Sequence, residues 1–284
     1  MISIRTIALT AIAMLAFAGN SLLCRLALKH TSIDAASFTT IRLVSGALML
    51  GLIVSIRSTA KAGETRGKGN WPSACALFIY AAGFSFAYMS LTAATGALLL
   101  FGAVQATMIG YGIWQGESFR SLQLVGLFLA LGGMVGLLLP GLSAPPLWGS
   151  VLMLGAGVAW GVYSLRGKGA VDPSGVTAGN FLRTVPIALV LSLIFMNHSN
   201  VDNTAVAYAV VSGAITSGIG YAIWYAVLPA LKNTQAATVQ LSVPVLAGIG
   251  GIAFLGEVLT LRLLLASAAI LGGIALVILE KQKS

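Results

Sequence analysis

Ten apolar runs of about twenty residues, separated by short polar breaks, leave this chain few ways to fold. Crossing about 30 Å of hydrocarbon takes roughly 20 mainly apolar residues in a helix. Runs close to that length stand at 5–28, 34–56, 71–92, 94–115, 121–139, 147–166, 174–197, 204–228, 233–256 and 260–280. Charged residues make up only 8% of the chain, against about 25% in a soluble domain, so little of its surface can face water. The expected architecture is an all-α integral membrane protein of ten transmembrane helices. The longest polar interval, Arg57 to Asn70, has fourteen residues, too few for a domain with its own core. Function is therefore expected inside the helical bundle. The first run follows Arg5 and continues past Asn20 to Leu28 without a small-residue cleavage pattern, so it reads as a retained helix and not a signal peptide.

Lys and Arg set the orientation, because cytoplasmic loops keep them. With a cytoplasmic N-terminus, eleven fall inside: Arg5, Arg57, Lys61, Arg66, Lys68, Arg120, Arg166, Lys168, Lys232, Lys281 and Lys283. Three fall outside, namely Arg25, Lys29 and Arg262, while Arg42 and Arg183 stand within spans. Both termini are thus expected in the cytoplasm. The net charge of +9 follows from this topology and draws the inner face to anionic lipid head groups; no nucleic-acid partner is expected.

A pattern occurs twice. Gly116-Glu117 precedes Gly132-Gly133, and 140 residues later Gly256-Glu257 precedes Gly272-Gly273 at the same spacing. Two five-helix units are expected, residues 1–140 and 146–284, joined through Pro140–Pro146. Because five is odd, the second unit enters the membrane from the opposite side. Inverted units of this kind are a transporter signature, with the substrate site near the midplane where they meet. Arg42 and Glu257 then lie toward the outer face, and Arg183 and Glu117 toward the inner one. Each Arg is expected to find the Glu of the opposite unit or a set of helix-end carbonyls, with snorkelling to the surface as the rival.

Several residues together carry a resemblance: Gly116-Glu117 and Leu255-Gly256-Glu257 at the ends of equivalent spans, Pro244 thirteen residues before Glu257, Trp160-Gly161 in the sixth span, and Arg42 and Arg183 in the second span of each unit. The chain resembles the drug/metabolite transporter superfamily in its EamA-domain branch, and within it the aromatic amino-acid exporter type. The resemblance implies a multi-pass protein of the bacterial inner membrane, a monomer or homodimer, that exports amino acids or other small metabolites by alternating access around a midplane cavity. Broad export of other amphipathic metabolites or drugs, and a membrane subunit without transport activity, are the alternatives.

Side chains at matching depths near the midplane are the candidate substrate contacts. Tyr80, Phe84 and Tyr88 recur every four residues in the third span, Trp160 and Tyr163 stand in the sixth, and Tyr221, Trp224 and Tyr225 cluster in the eighth. Such rings either stack on a substrate or pack helix against helix. Asn20, Gln105 and Gln240 are amides that must be satisfied within a span, by a neighbouring helix or by a ligand in a wet cavity. The proposed binding set is Asn20, Phe84, Tyr88, Gln105, Trp160, Tyr163, Tyr221 and Gln240. Trp71, Trp114 and Trp148, at span ends, read as an interfacial belt.

Other chemistries find no support in the residues. All seven acids map to loops or helix ends, and His30 and His198 lie outside, so no mid-membrane proton relay is expected. No phosphate-cradling loop is present, no nucleophile with a base stands inside the membrane, and Cys24 and Cys75 lack the company a metal needs. No enzyme activity, cofactor or metal is expected, the cavity reads as nearly neutral, and transport reads as uncoupled from protons. Reporter fusions should place both termini and the 57–70 loop in the cytoplasm; an external loop there, or an odd number of crossings, rules this topology out.

Overall fold

The computed structural model describes residues 3–60, 68–116, 120–141, 143–167, 170–195, 202–231, 236 and 239–280. Among these residues the chain is helical without a strand. The helices are α1 (Ile4–His30), α2 (Ala35–Ala60), α3 (Trp71–Tyr88), α4 (Ala93–Trp114), α5 (Ser121–Leu138), α6 (Leu147–Gly167), α7 (Pro173–Ile194), α8 (Asn203–Ala230), α9 (Ser242–Leu255) and α10 (Leu261–Glu280). Eight of them are long and apolar enough to cross a membrane; α3 and the 14-residue α9 are the other two. Trp114 and Trp148 are exposed at helix ends, as is Trp71.

The expected span 71–92 runs longer than α3, and the expected span 233–256 is interrupted between helical backbone at 239–240 and α9. After Tyr88 the backbone turns, Ser90 and Leu91 both donating to the carbonyl of Ala87, and Thr92 starts α4 by accepting from the Thr95 N–H. In the second case Pro244 is the cause. It has no N–H to offer the Gln240 carbonyl and its ring crowds that position. Helical backbone at 239–240 therefore gives way to a turn at Leu241, and α9 begins at Ser242 with the proline in its first turn.

Polar side chains start the helices where the dipole favours an acceptor. Asp34 accepts from the N–H groups of Ala36 and Ser37 at the head of α2. Asp172 and Asp202 do the same at α7 and α8, and Asn70 caps α3.

Small residues decide which helices meet. Antiparallel α5 and α10 touch at Gly126 and Gly273, where a Cβ on either would come within 2.4–2.5 Å of the other's carbonyl oxygen. At one end of this pair Gln123 donates to the Val277 carbonyl, and at the other Arg262 donates to Gly136. Helices α2 and α7 are also antiparallel, Thr40 donating to Ala188 at one end and Arg57 to Ser174 at the other. Gly83 and Gly149 seat α3 against α6, while Gly157 and Gly161 seat α6 against α4. Helix α1 lies between α8 and α9.

Helix α8 is irregular where it crosses this core. Residues Val211–Ile219 adopt π geometry between flanking α-helical segments. Here Gly213 presses on α2: a Cβ would stand 2.0 Å from Ser45 Oγ and 2.1 Å from the Arg42 carbonyl oxygen. Backbone cannot yield cheaply at that separation. Gly213→Ala should therefore lower the melting temperature, with an overpacking cost of about 1–3 kcal/mol. Gly132→Ala, which meets nothing within 4 Å, should leave it unchanged. Equal melting temperatures for both variants would contradict this packing.

Candidate functional site

Arg42 lies about 10 Å along α2 from its start and is only 1% exposed. A charge at such depth needs partners. Its Nη2 donates to the Tyr80 hydroxyl on α3 at 3.0 Å, and its Nε donates to Ser217 Oγ on the π segment of α8 at 3.4 Å. The guanidinium carbon stands 4.9 Å from the centre of the Phe84 ring and 5.3 Å from that of Tyr80, within cation–π range. Among the described residues, Nη1 is buried with no hydrogen-bond partner.

Asn20 of α1 completes the polar cluster. Its Nδ2 donates to Tyr80 Oη at 3.4 Å, and its Oδ1 accepts from Ser212 Oγ at 2.6 Å and from Thr216 Oγ1 at 3.4 Å. The wider turn of α8 puts Ser212, Thr216 and Ser217 on the face that meets α1 and α2. The one proton of Thr216 goes chiefly to the Ser212 carbonyl at 2.7 Å, so its contact with Asn20 is the weaker one and the π segment carries part of its own polar load.

Aromatic rings continue from this cluster as a ladder through five helices. Tyr88 meets Phe84 at 4.7 Å between centroids, Phe84 meets Tyr80 at 5.6 Å, and Tyr80 meets Trp160 at 4.8 Å. Trp160 is partly exposed and stacks on Tyr163 at 5.4 Å; it also meets Tyr221 at 5.2 Å. Phe17 of α1 and Phe181 of α7 close around Tyr221. Toward the other end of the site, Tyr163 Oη takes a hydrogen bond from Asn180 Nδ2 at 3.4 Å and donates to Thr177 at 3.5 Å. The cleft there, between α3, α6, α7 and α8, has a free volume of about 10 Å³, room for about one water.

Of the eight residues singled out from the sequence, Asn20, Phe84, Trp160, Tyr163 and Tyr221 stand in this one connected cluster. Tyr88 closes its end and is held there, its hydroxyl donating to the Ala93 carbonyl and its ring filling the space over Gly96. Gln105 is buried in α4 and Gln240 half-buried ahead of α9; among the described residues no hydrogen bond or ring contact links either to the ladder.

The expected pairing of Arg42 with Glu257 is corrected by the geometry. Glu257 instead accepts from Arg25 Nε at 3.3 Å and, through its other oxygen, from the Ala93 N–H at 2.8 Å. Both Arg42 and Glu257 sit toward one end of the bundle, but Arg42 faces α3 and α8 while Glu257 faces α1 and the start of α4. Arg183 donates to the carbonyls of Lys68 and Gly179; its expected partner Glu117 lies outside the described residues. The site is consequently not neutral, since it holds a fixed positive charge. Sequence reading passed over Ser212, Thr216 and Ser217, whose i, i+4, i+5 spacing on an otherwise apolar helix was the available signal.

Residues 147–279 match the EamA-like transporter family, and that half of the chain is an EamA-like transporter domain in a multi-pass membrane protein. A Pseudomonas aeruginosa protein, described as uncharacterized, is 56% identical over 274 residues, covering 96% of this chain and 94% of that one. An uncharacterized transporter of Archaeoglobus fulgidus is 26% identical over 263 residues, 86% of this chain and 87% of its own. The threonine/homoserine exporter RhtA of Salmonella typhimurium is 33% identical over 163 residues, 55% of this chain and 54% of the exporter. The fold is shared with a protein of known crystal structure at a TM-score of 0.69 and 18% identity, over 99% of both chains.

Asn20→Ala removes the group that joins α1 to both α3 and α8 and leaves hydroxyls behind in an apolar setting. It should destabilise the protein by about 1–3 kcal/mol. Asn20→Asp keeps the acceptor for Ser212 and adds a negative charge near Arg42, so it should recover part or all of that loss. Thermal unfolding in detergent or nanodiscs measures both; unchanged melting of the alanine variant would remove Asn20 from this account.

Proposed function

We propose that the chain is a secondary transporter of the bacterial inner membrane that exports small metabolites, foremost neutral amino acids with aromatic or hydroxylated side chains. The observation that carries this reading is the buried cluster at Arg42, Tyr80, Asn20, Trp160 and Tyr221, to which helices of both halves of the chain contribute. Soluble-protein chemistry is not what such a cluster serves; it offers hydrogen-bond donors and ring faces to a small amphipathic molecule. Similarity to threonine/homoserine exporters over about half the chain supports the choice of amino acids.

In this reading the chain crosses the membrane ten times as two inverted five-helix units, residues 1–140 and 146–284. The packing supports it. Exchanging each helix for its counterpart five places along turns α2 with α7, α4 with α9 and α5 with α10 into themselves, and turns α3 with α6 into α8 with α1. Alternating access then requires the ties at one end of the bundle to break, where Arg25 binds Glu257 and the carbonyls of Tyr88 and Met89, and Lys29 binds the Leu255 carbonyl. Asp34, Asp172, Asp202, Glu257 and Glu280, the acids among the described residues, all lie at helix ends, which supports transport without a proton relay.

Counterflow of radiolabelled threonine and phenylalanine in proteoliposomes tests the reading. Flux should proceed without a proton gradient and change little when one is imposed. Trp160→Ala and Tyr221→Ala should lower it about ten- to a hundredfold at matched melting temperature, the loss expected for one or two buried contacts. Strict dependence on the gradient overturns uncoupled transport, and wild-type flux in both variants returns these rings to a packing role.

A further inference from the structure

We infer that Arg42 is the anchor for the substrate's carboxylate, which makes the preferred cargo α-amino acids and excludes their amides and decarboxylated amines; the inference rests on the exporter reading above. Among the described residues no carboxylate pairs with this cation. Among the described residues the one close ion pair is Arg25 with Glu257, and Arg42 has two hydroxyl partners and two ring faces in place of a carboxylate. A guanidinium presents five N–H donors in a planar fork suited to bidentate carboxylate recognition. Nε and Nη2 are engaged, and Nη1 is left buried and unpartnered.

The neighbourhood of that free donor carries the other chemistry that an amino acid calls for. Phe84 and Tyr80 hold the guanidinium plane, so it cannot turn away to the surface. Tyr80 lies against Trp160, and Trp160 against Tyr221, so ring faces continue outward from the two that touch the fork. Ring faces take an ammonium by cation–π attraction or an apolar side chain by stacking. A carboxylate on the free Nη1 would supply the missing acceptor and the missing negative charge together. An amide or an amine supplies no negative charge, and each keeps an ammonium group that adds a second cation beside the first.

A purely structural Arg42 would leave ligand choice untouched, so ligand choice is what the experiment reads. Wild-type protein in nanodiscs is melted with threonine or phenylalanine, with threoninamide or phenylalaninamide, and with phenethylamine. The amino acids should raise the melting temperature, and the amides and the amine should need about ten- to a hundredfold higher concentration for the same shift. In Arg42→Gln the preference should vanish. Should that variant fail to fold, Arg42→Lys, which keeps the charge and loses the fork, should show a weakened preference, and the wild-type panel decides alone in any case. Equal shifts by acid, amide and amine in wild type, an undiminished preference in Arg42→Gln, or a wild-type protein that no carboxylate moves would each overturn the anchor. Arg42-dependent binding of amino acids without any counterflow would instead keep the anchor and remove the exporter reading. Counterflow of a carboxylate-free solute alone would do the reverse.

Discussion

A guanidinium held inside a bilayer-spanning bundle is the most demanding group in this protein, and the core is arranged around it. Taking such an ion out of water costs several kcal/mol even after relaxation. The two ring faces offset roughly 1–2 kcal/mol each when desolvated, and hydrogen bonds from a charged donor contribute roughly 1.5–3 kcal/mol each. Those partners come from α3 and α8, and through Tyr80 and Asn20 the same network reaches α1. Moving any of these helices away from α2 would strand the charge.

The backbone of α8 makes this arrangement possible. Its π turns set Ser212 and Thr216 against α1 and Ser217 against α2, and such turns are tolerated where a local gain is made. Gly213 allows the widened segment to approach the carbonyl of Arg42 itself, and Gly218 does so against Met49. The absence of two side chains thus positions a third. Close approach of helices through small residues is the general means of association in lipid, where apolar burial drives little.

At the helix ends another electrostatic rule operates. Arg25 donates to the carbonyls of Tyr88 and Met89 at the end of α3, Lys29 to that of Leu255 at the end of α9, and Arg262 to those of Gly136 and Leu139 at the end of α5. These are the three cations that the charge distribution assigns to the outer face. Each satisfies carbonyls left over at the C-terminus of a neighbouring helix, where the dipole is negative. Their position follows from backbone chemistry, which explains why they depart from the inward bias of the other basic residues.

Much of the fold is legible in the chain because lipid leaves an apolar segment so little choice. A run of twenty apolar residues without a helix would strand its backbone polar groups, so the positions of the helices follow from hydropathy alone. Departures came where local chemistry intervened, as at Pro244, whose missing N–H interrupts the helix just ahead of α9. Depth along a helix was partly readable: Asn20, Phe84, Trp160, Tyr163 and Tyr221 were placed at one level from sequence and stand in one cluster, whereas Gln105 and Gln240, placed at the same level, do not join it. Direction around a helix was not, because apolar residues surround these helices on every side and no stripe marks the inner face. Hence Glu257 was assigned to Arg42 at similar depth, whereas packing turns it to Arg25. Composition and length determined that this chain is a membrane-embedded helical bundle with polar and aromatic residues inside its apolar helices. Only the tertiary structure decided which of those side chains meet, since that depends on glycine contacts between helices far apart in the sequence.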